Sequence, residues 1–159
     1  MKILISPAKS LDFKSTLPTN THTQPAFLNE AVQLNASLKT KSPAELQKLM
    51  HISEKLATLN WERNQQFTTP FTNDNARPAV FAFNGDVYSG LDAYSFSENA
   101  LDIVQHNLRI LSGLYGILKP LELIQPYRLE KGTSYGLSGQ KTLYAFWKEQ
   151  LKKKKKNEL

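Results

Sequence analysis

The first segment with side chains suited to chemistry is Ser6-Pro7-Ala8-Lys9-Ser10, which holds two hydroxyls and an ammonium group. It follows an apolar run, residues 2–6, that predicts a short buried strand, because the residue before a proline prefers extended geometry. Ligand-binding loops of α/β folds usually lie at the carboxyl ends of strands. We therefore expect Lys9 to contact a phosphate or to act as a nucleophile assisted by Ser6. A solvent-exposed lysine in a turn fits the same pattern.

The second segment follows the apolar run 79–83, which predicts a buried strand, and it holds Asp86 and Tyr88 between Gly85 and Gly90. Asn-Gly-Asp at its start is a strong turn signal. The glycines would let backbone N–H groups approach a phosphate, while Asp86 would serve as a base, a metal ligand or the cap of the next helix. The glycines are not followed by the Lys-Ser/Thr of a phosphate loop, which disfavours nucleotide hydrolysis.

The third segment, residues 107–132, combines apolar runs with two prolines and with Gly113 and Gly116. Its first residues predict a strand that ends near Ser112, and residues 114–118 predict an apolar turn. Glycine-flanked turns of helix-hairpin-helix modules bring backbone amides to DNA phosphates. Here two residues separate the glycines, whereas one is usual in that module. A tight buried connection therefore fits equally well.

Five cations are candidates for a surface that tracks the phosphates of DNA. They are Lys9, Arg109, Lys119, Arg128 and Lys131. The formal charge of +6 is weaker evidence, because residues 152–159 contain five of the twenty basic residues and one of the fourteen acidic ones. The remainder carries only +2, and a terminal lysine run is commonly a solvated, disordered end.

Composition and length bound the remaining possibilities. A chain of 159 residues with 40% hydrophobic residues is expected to form one domain. The absence of cysteine excludes disulfides and thiolate metal sites, and the three histidines show no metal-ligand spacing. No metal site or cofactor is therefore predicted. The apolar run near Met1 is too short for a signal peptide or a membrane span, so we expect a cytoplasmic protein without a membrane partner.

Periodic apolar residues predict three helices before residue 68. The first covers residues 25–39, the second follows the capping pattern Ser42-Pro43-Ala44-Glu45, and the third begins at Ser53. A fourth helix is predicted after the capping pattern in residues 95–98. Strands and helices alternate only in part, which predicts a mixed α/β fold with a central sheet flanked by helices.

Several motifs together resemble one known family. They are I-S-P-A-K at 5–9, S-E-K-L-A-x-x-N at 53–60, F-x-G-D-V-Y-x-G-L at 83–91, and L-R-I-L-S-G-L-Y-G-I-L-K-P-L followed by Q-P-Y-R-L-E, which ends at 130. This order of motifs is similar to that of the peroxide stress protein YaaA family. The resemblance extends from Met1 to about Trp147, and family members continue further. It implies residues 1–147 as the N-terminal portion of a single domain whose C-terminal part is missing, with residues 148–159 as a non-native or disordered tail. Strand edges that the missing part would cover are then expected to be exposed.

The resemblance also implies a family-specific fold with a basic cleft and a helix-hairpin-helix element. It implies a cytoplasmic protein that binds double-stranded DNA, limits iron-dependent oxidative damage during peroxide stress and needs no obligate protein partner. We accordingly expect a DNA-binding protein rather than an enzyme. The alternative is an enzyme acting on nucleic acid or on a small phosphorylated or oxidised substrate, with Lys9 and Asp86 as its reactive groups and Tyr88 and Ser6 assisting.

Overall fold

A computed structural model describes residues 1–130, 132–135 and 141–154 of the chain. Its elements are, in chain order, β1 (Ile3–Ile5), β2 (Ser10–Leu11), α1 (Leu28–Leu38), α2 (Pro43–Met50), α3 (Glu54–Gln66), β3 (Arg77–Pro78), α4 (Ala79–Ala82), β4 (Phe83–Asn84), α5 (Asp86–Leu91), α6 (Glu98–Asn107), β5 (Leu108–Ser112), β6 (Gly116–Leu118), β7 (Leu123–Ile124) and α7 (Leu143–Lys152). The fold is mixed α/β, as predicted. Within the described residues, no helix combines the length and apolarity needed to span a bilayer.

The strands form three small sheets. The largest has the order β1-β5-β6, and β1 runs parallel to β5 with Ile3 opposite Leu108 and Ile5 opposite Ile110. Two antiparallel pairs, β2 with β4 and β3 with β7, complete the set. The predicted central sheet is therefore small and is accompanied by two-stranded ribbons.

The predicted helix starts are confirmed where a side chain caps the helix. The Ser42 hydroxyl accepts a hydrogen bond from the Glu45 N–H (3.2 Å), and Glu45 Oε1 accepts one from the Ser42 N–H (3.1 Å). The Ser53 and Ser97 hydroxyls accept hydrogen bonds from the N–H groups of Leu56 and Ala100 at the starts of α3 and α6. The cap of α6 is therefore Ser97, whereas the predicted capping pattern began at Ser95. These bonds satisfy backbone donors that a helix leaves unpaired in its first turn.

The prediction of a strand over residues 79–83 is wrong for most of its length. Residues 79–82 form the short helix α4, all of it buried, and only Phe83 enters a strand. An uninterrupted apolar run has no period that distinguishes a buried strand from a buried helix. Pro78 immediately precedes α4 and is the last residue of β3.

The chain divides into two compact units, each assembled from three separate segments. The first unit contains residues 1–26, 68–111 and 117–126, and part of its core is formed by Val80, Phe81, Ala93, Leu101 and Leu121. The second contains residues 27–67, 112–116 and 127–159. The Trp147 ring lies edge-on to Phe27 and Phe146 in that unit, with ring centroids 5.5 and 5.1 Å apart.

Helix α7 begins after Thr142, whose hydroxyl accepts a hydrogen bond from the Ala145 N–H (3.1 Å). It continues to Lys152, so regular structure extends into the segment that was predicted to be a disordered tail. The first lysine of the terminal run, Lys152, thus lies on a helix. Residues 155–159 lie outside the described part of the chain.

Candidate functional site

The two segments predicted to carry chemistry meet in the first unit. Strand β2 follows the Lys9 segment and pairs with β4, which precedes Gly85. The Tyr88 hydroxyl donates a hydrogen bond to the Ser6 carbonyl oxygen (2.8 Å). A Cβ atom at Gly85 would lie 3.3 Å from the Ala8 Cβ, so the two backbones approach closely. Ser6, Lys9, Asp86 and Tyr88 are therefore brought to one region.

Asp86 is exposed and occupies the first position of α5, whereas Gly85 is the N-cap. Asp86 is thus not the side-chain cap of the helix, although its charge is favourable near the helix N-terminus. Lys9 is also exposed, and Tyr88 is buried. Gly90 lies inside α5, and no atom lies within 4 Å of the position its Cβ would take, so no contact within the protein requires a glycine there. Its predicted role in a phosphate-binding backbone turn has no support in this geometry.

A cavity of about 300 Å³ lies beside these segments. Its apolar wall comes from Val80, Phe81, Phe83 and Ala93, and its polar lining comes from Asp12, Asn84, Tyr88, Ser89, Asp92 and Tyr94. Pockets with an apolar wall and a few convergent polar groups are the usual places for small ligands.

Asp12 and Tyr94 are the members of this cavity that the sequence analysis missed. Asp12 Oδ1 accepts hydrogen bonds from the N–H groups of Lys14 and Ser15 (both 2.9 Å), and Oδ2 accepts one from the Tyr94 hydroxyl (3.1 Å). Hydrogen bonds from Ser15, Lys14 and Tyr94 lower the pKa of Asp12 well below its usual range. Asp12 sits in a polar loop without period, and its partner Tyr94 is 82 residues away, so local sequence gave no signal.

The predicted cations do not gather at one end of the sheet. Lys9 follows the carboxyl end of β1, whereas Lys119 follows β6. Only three residues connect β5 to β6, and parallel strands need a much longer crossover, so β6 runs antiparallel to β5. Because β1 is parallel to β5, β6 is also antiparallel to β1. Lys119 therefore lies toward the opposite end from Lys9.

Arg109 is buried and hydrogen-bonded to backbone carbonyl oxygens, which the sequence did not predict. The side chain is 4% exposed, and its Nη1 donates to the carbonyl oxygens of Gln105 (2.8 Å) and Leu108 (2.7 Å) at the end of α6. Lys2 Nζ donates to the neighbouring His106 carbonyl oxygen. Cations at a helix C-terminus satisfy carbonyls that lack partners. The burial of Arg109 argues against its predicted contact with DNA.

Glu122 is a second buried charge that the sequence analysis missed. It is 2% exposed, and its carboxylate accepts hydrogen bonds from the Lys119 N–H (3.0 Å) and the Ala26 N–H (3.1 Å). Burial raises the pKa of Glu122 to about 6, against the opposing effect of these bonds and of the charges on Lys119 and Arg109. The residue joins the β6–β7 turn to the chain entering α1, which is a structural role.

The glycine turn, which we define as residues 112–116, is filled by protein. A Cβ at Gly113 would lie 1.8 Å from the Leu129 carbonyl oxygen, and one at Gly116 would lie 2.7 Å from the Trp147 ring. Gly116 also has a φ of +75°, which favours glycine. Trp147 Nε1 donates to the Gly113 carbonyl oxygen (2.6 Å).

Hydrogen bonds inside the glycine turn complete its packing. The Ser112 hydroxyl is 2.7 Å from the Tyr127 hydroxyl and accepts a hydrogen bond from the Tyr115 N–H (3.0 Å). The turn joins two strands and its residues are buried. The helix-hairpin-helix prediction is therefore wrong for this stretch, and the alternative of a tight buried connection is confirmed.

Of the last two predicted cations, Arg128 belongs to the second unit, and Lys131 is not among the described residues. Arg128 is partly buried, and its Nη2 lies 3.7 Å from Glu130 Oε1. Burial lowers the pKa of Arg63, and the charge of Arg128 lowers it further, so these two cations are neighbours. Lys131 lies outside the described residues.

Helix α7 presents a basic surface that the sequence analysis did not select. Leu143, Phe146 and Trp147 are buried on one side. On the exposed side, Tyr144, Lys148 and Lys152 recur every four residues, and Tyr144 is 65% exposed. We call these three residues the α7 basic face.

No group of three or more His, Asp or Glu side chains suited to holding a metal ion occurs within the part of the chain that the structure describes. The prediction of no metal site stays a prediction for the whole chain.

Comparison with known proteins places these features in a family. Residues 1–158 match the family described as peroxide stress protein YaaA. A UPF0246 protein of Flavobacterium psychrophilum is 59% identical over 94% of this chain and 59% of its own length, and one of Flavobacterium johnsoniae is 58% identical over 100% of this chain and 63% of its own length. A UPF0246 protein of Aliivibrio fischeri is 50% identical over 100% of this chain and 61% of its own length.

The chain thus spans about three fifths of the length of these relatives. Their matches cover nearly all of this chain, and the family match includes residues 148–158, beyond the end of the quoted motifs. The prediction that a C-terminal part is missing stays a prediction. The extent and identity of the matches are decisive for the family: the chain belongs to the peroxide stress protein YaaA family.

Proposed function

We propose that this chain acts in the defence against peroxide stress by binding the phosphates of double-stranded DNA through the α7 basic face. Membership of the family supports the peroxide-stress role. The single observation that carries the DNA proposal is the four-residue spacing of Tyr144, Lys148 and Lys152 on the exposed side of a helix whose other side is anchored by Trp147. A lysine neutralises a phosphate, and the hydroxyl of an exposed tyrosine is able to donate a hydrogen bond to a phosphate oxygen.

This interface differs from the one predicted from the sequence. Arg109 is buried, and the glycine turn offers no exposed amides. Lys9 and Lys119 belong to the first unit and Arg128 to the second. These three remain secondary candidates for contacts with DNA, whereas the α7 basic face belongs to one rigid element.

Binding to DNA offers a direct route to protection. The DNA backbone concentrates cations around its phosphates, and proteins that neutralise phosphates release those counterions. Ferrous iron held near DNA generates damaging radicals from hydrogen peroxide at that position. Displacing it by lysines would lower damage in the cytoplasm without a metal site in the protein.

The binding test uses a fluorescent DNA duplex and a double variant, Lys148→Ala with Lys152→Ala. At about 50 mM salt the loss of two phosphate contacts should raise Kd by about 10-fold to 100-fold. The matched control is Lys48→Ala with Lys55→Ala, because both lysines are exposed on helices of the same unit and the loss of charge is identical. Equal affinities of the two double variants would overturn the assignment to α7.

A second assay tests protection itself. Plasmid DNA is exposed to ferrous iron and hydrogen peroxide, and strand breaks are counted in the presence of each protein. We expect wild type and the control variant to reduce breaks and the Lys148, Lys152 variant to lose most of this effect. Protection that survives loss of DNA binding would refute the counterion route.

A second candidate function is supported by the cavity of the first unit. There the Tyr88–Ser6 hydrogen bond brings both predicted reactive segments beside a 300 Å³ space lined by Asp12 and Tyr94. This arrangement suits an enzyme that acts on a small substrate. The proposed reactive groups Lys9 and Asp86 belong to these segments, although neither residue lines the cavity itself. A Lys9→Met variant that retains full peroxide protection in cells would count against it.

A further inference from the structure

The cavity of the first unit has aromatic walls. The Phe81 and Tyr94 rings have centroids 5.1 Å apart, and the Phe83 and Tyr88 rings have centroids 5.5 Å apart. All four rings line the cavity, and its volume of about 300 Å³ is at the lower end of the range for small-ligand sites. Aromatic rings pack against apolar groups and attract cations over their faces. These walls therefore suit a small ligand with an apolar body and a positive charge.

The charged side chains that line the cavity are negative. Within the described part of the chain they are Asp12 and Asp92, and no lysine, arginine or histidine belongs to the lining. Arg77 is outside the lining, although its Nη2 donates to the Tyr94 hydroxyl (3.2 Å) and to the Ser15 carbonyl oxygen. Carboxylates repel a phosphate, so this lining disfavours the phosphorylated substrate that the sequence left open.

Asp12 has an oxygen that is able to accept a hydrogen bond from a ligand. Its Oδ2 lies 3.1 Å from the Tyr94 hydroxyl, but that hydroxyl also lies 2.8 Å from the Phe81 carbonyl oxygen. A tyrosine hydroxyl has a single proton and makes one good hydrogen bond as a donor. When it donates to Phe81, which is the shorter contact, a position on Oδ2 is open to a donor from the ligand. Hydrogen bonds, those from Ser15 foremost, lower the pKa of Asp12, so its carboxylate stays ionised at neutral pH.

Asp92 supplies a second negative charge to the same cavity. It is exposed and follows the last residue of α5, and its backbone N–H donates to the Tyr88 carbonyl oxygen (3.0 Å). Its carboxylate has no hydrogen-bond or ion-pair partner among the residues that the structure describes. The cavity thus combines a carboxylate held in place by the backbone with one that is available to a ligand.

We propose that this cavity binds a small organic cation, in which an ammonium or amidinium group is attached to an apolar body. The charged group donates a hydrogen bond to Asp12 Oδ2, the charge of Asp92 adds to the attraction, and the body packs against the aromatic walls. A bare metal ion fits less well, because hard cations take about six or more oxygen ligands. No group of three candidate ligands occurs in residues 1–130, 132–135 and 141–154. This inference is independent of the DNA proposal and names a ligand class for the cavity of the second candidate function.

The test uses benzamidine, in which an amidinium group is attached to an aromatic ring. Binding to the full chain is measured by calorimetry and by two-dimensional NMR, in which the amides that shift should belong to residues 12 and 80–94. Benzamide is the matched neutral ligand and should bind at least about tenfold more weakly, because it lacks the charge-assisted hydrogen bond. Benzoate, which is negative, should not bind. Equal affinities for benzamidine and benzamide would overturn the proposal, as would failure of benzamidine to bind.

Two variants remove the charges of the cavity. Asp12→Asn keeps an oxygen that accepts the N–H groups of Lys14 and Ser15, and it should raise the Kd for benzamidine about tenfold. Asp92→Asn should raise the Kd about threefold, because Asp92 is exposed and water screens its charge. Asp92 has a φ of +54°, which asparagine also adopts, so this variant should fold even if Asp12→Asn does not.

Asp74→Asn is the matched control for both variants. Asp74 is an exposed carboxylate of the same unit that does not line the cavity, so this variant should bind benzamidine like wild type. A Kd that is unchanged in both Asp12→Asn and Asp92→Asn, or raised equally in Asp74→Asn, would overturn the proposal. The measurement needs neither DNA nor peroxide, so its failure is distinguishable from failure of the proposed function.

Discussion

The glycine turn and the α7 basic face belong to the same unit, and the sequence assigned them opposite roles. Residues 113–116 were predicted either to meet DNA phosphates or to form a tight buried connection, and the lysines that follow residue 147 were predicted to be a disordered tail. In the structure Trp147 fills the space over the turn, while the opposite side of its helix exposes Lys148 and Lys152. Helix α7 therefore packs against the glycine turn through Trp147 and exposes the α7 basic face on its other side.

The difference lies in what occupies the space beside each segment. A glycine is compatible with a ligand's approach or with tight contact from the protein itself. At Gly113 the nearest atom is the Leu129 carbonyl oxygen, and at Gly116 it belongs to the Trp147 ring. Both contacts come from residues distant in the sequence. A lysine run is similarly compatible with a disordered tail or with a binding surface. Helix α7 places Lys148 and Lys152 on one exposed face.

The largest expected effect comes from Gly113→Ala. The new Cβ would lie 1.8 Å from a backbone oxygen, which has little freedom to move. We expect a loss of about 4 kcal/mol or more in the free energy of unfolding, measured by urea denaturation. Gly90→Ala is the matched control, since no atom lies within 4 Å and the residue is inside α5. It should stabilise the protein by about 0.5–1 kcal/mol. A tolerated Gly113→Ala would show that the turn is not packed as described.

Trp147→Phe should have the next largest effect. It removes the hydrogen bond to the Gly113 carbonyl oxygen and leaves space in a buried site. The expected loss is about 2–3 kcal/mol in the free energy of unfolding. Trp61→Phe provides the control, because Trp61 is 37% exposed on α3 and its replacement should change stability by less than about 0.5 kcal/mol. Equal losses for the two variants would contradict the anchoring role of Trp147.

Tyr127→Phe tests the hydrogen bond to Ser112 and should cost about 1 kcal/mol near neutral pH. Burial raises the pKa of Tyr127 above its ordinary value of 10.0, so the folded state resists an ionisation that the unfolded chain undergoes. The unfolded chain therefore binds fewer protons above pH 10, and the tyrosine's contribution to stability falls as pH rises.

The measurement compares urea unfolding of wild type and Tyr127→Phe from pH 8 to 11. The advantage of the wild type should shrink as the pH rises above 10. Tyr144→Phe is the control, because it removes the hydroxyl of an exposed tyrosine. A constant difference between wild type and Tyr127→Phe would place the hydroxyl in contact with water.

Local signals predicted the parts of the fold that local chemistry determines. The capping residues Ser42, Glu45 and Ser53 act within one helical turn, so their spacing is sufficient to predict the helix starts. The strand before Pro7 is confirmed as β1, but the prediction that it is buried is wrong, because Ile3 and Leu4 are exposed over more than half of their surface. The strand predicted for residues 79–83 failed because an apolar run carries no periodic signal.

Long-range partners explain what the sequence could not predict about the sites. Arginine is a residue type that often contacts DNA phosphates. In the folded chain, however, the Arg109 side chain donates hydrogen bonds to carbonyl oxygens at the end of α6. Asp12 acquires its environment from Tyr94, far away in the sequence. The sequence placed Ser6 and Tyr88 after two separate predicted strands, and the hydrogen bond that joins them is seen only in the structure. Residue type thus indicated possible chemistry, and burial decided which side chains are available for it.

The most direct test of the α7 basic face is the salt dependence of DNA binding. Log Kobs is measured against log salt concentration for wild type, for Lys148→Ala with Lys152→Ala, and for Lys48→Ala with Lys55→Ala. Each phosphate contact contributes about 0.9 to the slope, so the first double variant should have a slope shallower by about 1.8. The second should match wild type. Identical slopes for wild type and the Lys148, Lys152 variant would contradict the account, because α7 would then contact no DNA phosphate.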